Sequence, residues 1–389
     1  MDKFLKWTII ILALIAIGIG GYSYYQNYLR KIEEPKIVAN KEKVKESGLL
    51  YARKTRTIKI NEDRRIPIYE LIYFNSANQQ KEVIVNEITN NTYVQQLFLL
   101  KDKKTLLVND EKSIFKINIE NKERENLYSV ATGDLSKFVV NNNQTELVFT
   151  EYLNGYSGGG EYKIIKLDLV NKKQPIAIYH GDTKKDEEPP FTPGFWSYDN
   201  KMVYLFRGAG EFPGVLYSIN LADLGLEKVK IHGEEVYGYG FISDNKKLYV
   251  TVEPWGKDDC NEFSGDAWGK IKIYDLEKKT SASYTDETKN FRIIRISPDN
   301  SQILISYSLA NKNVKSSAEC ATPKVENIIY NTTTGEVKSI SDEEYIEWAR
   351  KSTGYDMFAE IKSDGLYLNG NKIDGSAEDS TEVIFVDYF

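Results

Sequence analysis

The chain has 389 residues, with 51 Lys and Arg against 57 Asp and Glu and a formal net charge of -6. Near-balanced signs supply no basic field, which excludes the usual electrostatic route to nucleic acid. With 27 Tyr against 3 Met the composition suits strands better than helices, and a closed all-β array can use most of this length as one domain.

The first element in chain order is an uncharged apolar run, WTIIILALIAIGIGGYSYY from Trp7 to Tyr25. Its length of about nineteen residues nearly spans a hydrocarbon core of roughly 30 Å. Trp7 stands at one end and Tyr22, Tyr24, Tyr25 and Tyr28 at the other, where interfacial anchors belong. Lys3 and Lys6 precede it, and Arg30 and Lys31 follow. The expectation is a single-pass transmembrane signal anchor over 7–28, with 1–6 in the cytoplasm and the rest outside it at the cell membrane. A cleaved signal peptide with Gly18 and Gly20 near the cut is the alternative; both readings export the remainder. Residues 29–48, rich in Lys and Glu, read as a charged stalk.

From Leu49 onward strands dominate, and one phrase recurs: apolar strand, polar turn, apolar strand. It reads FLLKDKKTLLVND from Phe98, FVVNNNQTELVFT from Phe138, FWSYDNKMVYLFR from Phe195, FISDNKKLYVTVE from Phe241 and RISPDNSQILISY from Arg295, with a degenerate EIKSDGLYLNG from Glu360. A second strand pair follows each copy, as in SIFKINIENKERENLY from Ser113 and KIKIYDLEKKTSASY from Lys270. Joined, these halves predict four-stranded units over about 92–130, 135–180, 190–231, 235–285 and 290–340. Repetition of this kind indicates a β-propeller built blade by blade. Strands near Thr57, Ile68 and Val83 and near Phe358, Leu366 and Ile384 remain at the two ends. Counted as two blades with one strand exchanged at closure they give seven, the preferred number; fused into one blade they give six. A short helix is predicted at 342–351, where Ser341 and Glu344 form a capping box. The propeller is assigned residues 49–389.

The turns Ser297-Pro298-Asp299-Asn300, Ser243-Asp244-Asn245 and Ser363-Asp364-Gly365 give the chain its family likeness. The pattern resembles TolB-like, WD-type repeat propellers and the propeller domains of prolyl-oligopeptidase relatives. The resemblance implies a fold and carries over no catalytic residue.

Connection lengths point to the functional face. Links between the second and third strands of a unit are long, about 153–160, 208–213, 254–269 and 309–324, and in a four-stranded meander they share one rim. That rim is expected to carry Tyr152, Tyr156, Phe212, Trp255, Phe263 and Trp268, with Asp182, Asp186, Glu187, Glu188, Asp258, Asp259, Glu262 and Asp266. Aromatic platforms with carboxylates suit a protein, peptide or cell-wall ligand; the alternative is that these rings fold the loops down and the acids are solvated. Cys260 and Cys320 fall in neighbouring long links, so a disulfide is expected in an exported chain, two free thiols being the alternative.

Catalytic signals are weak. Gly155-Tyr156-Ser157-Gly158-Gly159 matches G-x-S-x-G, yet lies between strands rather than at a strand-turn-helix elbow. His180 and His232 are too few for a typical zinc site. Asp258, Asp259, Glu262 and Asp266 suit calcium by ligand type but lack the spacing of a calcium loop. No cofactor or metal is expected, and no phosphate-binding loop supports a nucleotide. The expected function is a membrane-anchored, non-catalytic binding module. A propeller hydrolase or lyase acting on envelope glycans or peptides, and a structural spacer, are the rivals.

Overall fold

The computed structural model describes residues 48–389 apart from 60–64, 90–92, 155–159, 172, 187–188, 208–213, 239, 244–245, 253–269, 285–288, 298–300, 310–325, 354–356, 363, 376–382 and 389. The expected membrane segment and nearly all of the stalk lie outside these residues. Among the described residues no helix is long and apolar enough to cross a membrane.

Seven antiparallel sheets form the blades, and a two-stranded sheet, Lys230–Ile231 with Glu234–Glu235, follows blade 4. Blade 1 joins Gly48–Lys59, Arg65–Asn75 and Lys81–Val85 to the last strand, Val383–Tyr388. Blade 2 is Gln96–Leu99, Thr105–Asn109, Ser113–Asn118 and Arg124–Ser129. Blade 3 is Asp134–Leu135 with Val139–Val140, then Glu146–Tyr152, Glu161–Asp168 and Ile176–Asp182. Blade 4 is Thr192–Trp196, Met202–Arg207, Gly214–Asn220 and Leu226–Lys228. Blade 5 is Gly240–Ser243, Lys247–Val252, Lys270–Asp275 and Thr280–Tyr284. Blade 6 is Lys289–Ile296, Gln302–Leu309, Glu326–Asn331 and Val337–Ile340. Blade 7 shows three strands among the described residues, Ala359–Lys362, Gly365–Leu368 and Asn371–Asp374. The preferred count of seven, with one exchanged strand, is therefore the observed one.

Burial explains the residue choice within a blade. Second strands such as Thr105–Asn109 and Glu146–Tyr152 are buried at nearly every position because a neighbouring sheet covers each face. Outermost strands such as Arg124–Ser129 and Thr280–Tyr284 hold no buried residue, and their sequences are largely polar. Six apolar clusters sit between successive sheets. One joins blades 1 and 2 through Leu50, Val85, Leu97 and Ile117, and the next joins blades 2 and 3 through Leu107, Phe138 and Phe149. Others join blades 3 and 4 around Trp196, and blades 4 and 5 around Leu216 and Leu248. Blades 5 and 6 meet around Tyr249 and Phe291, and blades 7 and 1 around Leu366 and Tyr51. Between blades 6 and 7 stands the helix Asp342–Ser352, capped by the foreseen Ser341 and Glu344 box. Trp348 Nε1 of that helix donates to Gln302 Oε1 on blade 6 at 2.6 Å, and Tyr345 packs edge-on against Phe358 at 5.6 Å. The ring of contacts is complete.

Closure depends on the chain's last strand. Leu49 pairs with Tyr388 and Ala52 with Phe385, so blade 1 takes one edge strand from the far end of the sequence. A charge network around the buried Asp374 fastens the same seam. Asp374 of blade 7 accepts from Tyr51 and from Arg53 Nη1 at 3.0 Å, and pairs with Lys81 at 3.2 Å; Arg53 also pairs with Glu70. Burial alone would raise the Asp374 carboxyl. The hydrogen bonds from Tyr51 and the Gly375 N–H, with the charges of Arg53 and Lys81, outweigh it and hold the group below its ordinary range.

Candidate functional site

Alternating antiparallel strands divide the connections between two rims. Links from second to third strand, and from one blade to the next, share the loop rim; the remaining turns share the opposite, turn rim. Contacts verify the division. Gly160, at the end of a second-to-third link, donates its N–H to Thr183 Oγ1 in the link leaving blade 3, at 2.6 Å. Arg207 closes the second strand of blade 4, and its Nε donates to the Pro189 carbonyl in the link entering that blade, at 3.0 Å. Its guanidinium carbon stands 4.5 Å from the Phe191 ring centroid. Lys112 pairs with Asp134 at 2.6 Å and donates to the Gly133 carbonyl, tying a blade 2 loop to the link beyond it. Gly133 has φ +84°, and a Cβ there would stand 2.0 Å from the Tyr152 carbonyl oxygen, so only glycine fits. Tyr128 donates its hydroxyl to Glu151 at 2.9 Å; burial, then that bond, pushes the phenol up.

This girdle anchors the bases of the long links. The links themselves largely fall outside the described residues, and with them Tyr156, Phe212, Trp255, Asp258, Asp259, Glu262, Phe263, Asp266 and Trp268. Cys260 and Cys320 do too, as does Ser157. Of the remaining candidates, Tyr152 is 5 % exposed and belongs to the core between blades 3 and 4, so it does not face a ligand. Asp182 accepts from the Lys184 N–H at 3.0 Å and lies 3.5 Å from Lys185, a local cap rather than a contact surface. His180 lies exposed on an outermost strand, and His232 is exposed in a turn at φ +54°. Among the described residues no three His, Cys, Asp or Glu side chains converge as a metal site would require.

A second feature escaped the sequence reading. Beside blade 2, a cavity of about 440 Å³ is lined by Thr89, Asp110, Ser113, Phe115, Arg124, Asn126 and Ser129. Thr89, Asp110 and Phe115 are buried and form its floor, while Arg124, Asn126 and Ser129 are exposed on the outermost strand. Asp110 Oδ1 accepts from the Ser113 N–H at 2.7 Å, the Ser113 hydroxyl at 2.8 Å and the Lys112 N–H at 3.2 Å. Arg124 Nη2 donates to the Glu87 carbonyl, and its guanidinium carbon stands 5.5 Å from the Phe115 centroid. No single segment spells this constellation: it draws on an interblade link and three strands and loops of blade 2.

No protein-family model and no curated protein matches the chain. In fold it is similar to a putative TolB from Agrobacterium tumefaciens, at 12% identity and a TM-score of 0.39, over 76% of this chain and 89% of that one. TolB from Acinetobacter baumannii gives 13% identity and 0.40, over 75% of this chain and 65% of that one. A puromycin hydrolase gives 9% identity and 0.47, over 86% of this chain and 50% of that one.

Proposed function

We propose that this protein is a membrane-tethered binding propeller outside the cytoplasm, which holds a protein, peptide or cell-wall ligand on its loop rim without catalysis. The observation that carries this reading is the one-sided distribution of its longest second-to-third links, 208–213, 253–269 and 310–325, all opening from the loop rim of a closed seven-bladed scaffold. Long links on a rigid frame are where recognition concentrates. Trp255, Phe263 and Trp268 supply the apolar anchors, and Asp258, Asp259, Glu262 and Asp266 the polar surround, as in hot-spot surfaces. The apolar run at 7–28 provides the tether.

The test is photo-crosslinking in intact cells from a probe placed within 254–269 of the full chain. A discrete adduct is expected, lost when Trp255, Phe263 and Trp268 are changed together to Ala and retained in Tyr198→Ala on the turn rim. No discrete adduct, or one indifferent to the triple change, removes the reading.

A further inference from the structure

The cavity beside blade 2 takes no lining residue from the long links and presents a guanidinium fixed before any ligand arrives. Phe115 supports its face, and the Glu87 carbonyl holds Nη2. The Glu87 carboxylate is itself occupied by Arg56. Among the described residues no carboxylate stands within ion-pairing distance of Arg124. A pinned guanidinium with N–H groups to spare matches the geometry of a carboxylate, with little entropy lost on pairing.

Two further observations define the class of ligand. The cavity lies over one face of the strand pair Ser113–Asn118 and Arg124–Ser129, where the cross-strand partners Phe115 and Asn126, and Ser113 and Ser129, line it together. Ser113, Asn126 and Ser129 add hydroxyl and amide groups along its length. An extended main chain, with a donor and an acceptor at each residue, matches such a row of polar side chains. The floor also holds Asp110, whose charge is spread over three donors of its own loop. One carboxylate at Arg124 adds a single negative charge to a site where Arg124 and Asp110 already cancel, whereas a doubly charged phosphate adds two beside Asp110.

We propose that this cavity binds an extended peptide segment, with a carboxylate of the peptide paired to Arg124. None of the long links contributes to the lining of this cavity, and the proposal does not depend on the function proposed for them.

Fluorescence anisotropy with the full chain tests it, using a random-sequence octapeptide pool that carries carboxylates. A matched pool has C-terminal amides, with Gln and Asn in place of Glu and Asp. The carboxylate pool should bind, and the neutral pool should bind about tenfold more weakly, as loss of a charge-assisted pair implies. Arg124→Gln should cause a similar loss. Asn126→Asp, which sets a repelling charge in the wall and leaves the Arg124 contacts in place, should do the same, and it decides alone if Arg124→Gln fails to fold. Substituting Trp255, Phe263 and Trp268 should leave this binding intact. Equal binding of both pools, no binding of either, or indifference to the cavity variants overturns the proposal. Competition by inorganic phosphate at the concentration that the carboxylate pool requires overturns the peptide assignment.

Discussion

At the scale of single residues, the turns on the turn rim repeat a chemical device. Asn75, Asn118, Asp168, Asn220, Asp275 and Asn331 each end a third strand, and each side-chain oxygen accepts an N–H two residues on; all but Asn220 also take the N–H three residues on. Four residues after the Asx, at Gln79, Lys122, Leu224, Lys279 and Gly335, φ is positive, between 56° and 74°. The side chain closes the turn, and the left-handed residue redirects the chain into the outermost strand. Asn or Asp at the end of each third strand is a signal in plain sight, and the sequence reading passed over it because it weighed only the first-half turns. Leu224 is 45 % exposed at φ +60°, an expensive conformation for a leucine. Leu224→Gly should therefore raise stability by roughly 0.5–1 kcal/mol, measured by denaturant unfolding; a loss would show that the turn is unstrained.

Asp374 sets a pH dependence at the same scale. Its folded pKa lies below its unfolded one, so its stabilisation is complete above about pH 4, the unfolded carboxylate value. That contribution is lost as pH falls through the lower folded value. Asp374→Asn should cost about 2–3 kcal/mol near neutrality, by leaving Arg53 and Lys81 without their shared acid. It should also flatten the fall in stability below pH 4. Urea unfolding at pH 6 and pH 3 reads both effects, and an unchanged acid slope assigns acid sensitivity to other groups.

At the scale of elements, neighbouring blades are bound by more than apolar contact. Gln96 exchanges two hydrogen bonds with the main chain of Phe138, and Trp196 Nε1 donates to the Val139 carbonyl at 3.0 Å. First-half turns touch in sequence around the turn rim. Lys101 reaches Gln144 and Asn142, Asn142 reaches Ser197, Tyr198 and Asn200, and Lys246 stands over the Tyr198 ring. The Asp-Asn turns that identified the repeat thus also join one blade to the next. The helix Asp342–Ser352 replaces such contacts at the seam of blades 6 and 7. Trp348→Phe keeps the ring but strands Gln302 Oε1, and should cost roughly 1–2 kcal/mol. Thermal unfolding of the variant beside Gln302→Leu/Trp348→Phe separates the lost bond from lost packing. If the double variant is no better than the single, the hydrogen bond is not what the helix contributes.

At the scale of the molecule, closure is the organising event. A propeller left open exposes two flat sheets, and here one six-residue strand prevents it, Val383–Tyr388 against Gly48–Lys59. Lys103 of blade 2 grips the same strand end through the Tyr388 carbonyl and lies 3.6 Å from Asp387. Deleting 383–389 should abolish the single cooperative unfolding transition and expose apolar surface to a dye such as ANS. A synthetic peptide of those residues, added in trans, should restore the transition. Cooperative unfolding of the truncated chain without the peptide would show that the remaining contacts close the ring unaided.

Much of this architecture was legible in the amino-acid sequence alone. Strand, turn and strand recur with apolar residues wherever a sheet faces another sheet, and that local periodicity survives any long-range rearrangement, so the five central units and the capped helix could be marked out before folding. Tertiary structure decided what no local pattern encodes. Seven blades rather than six follows from Leu49 meeting Tyr388, a pairing between residues at opposite ends of the propeller. Tyr152 turned inward because the sheet of blade 4 packs over it. Arg124 acquired its place beside Phe115 and the Glu87 carbonyl only when an interblade link folded against an outer strand. Short-range hydrophobic pattern is written residue by residue, whereas closure and the cavity arise from contacts between segments that become neighbours only in three dimensions.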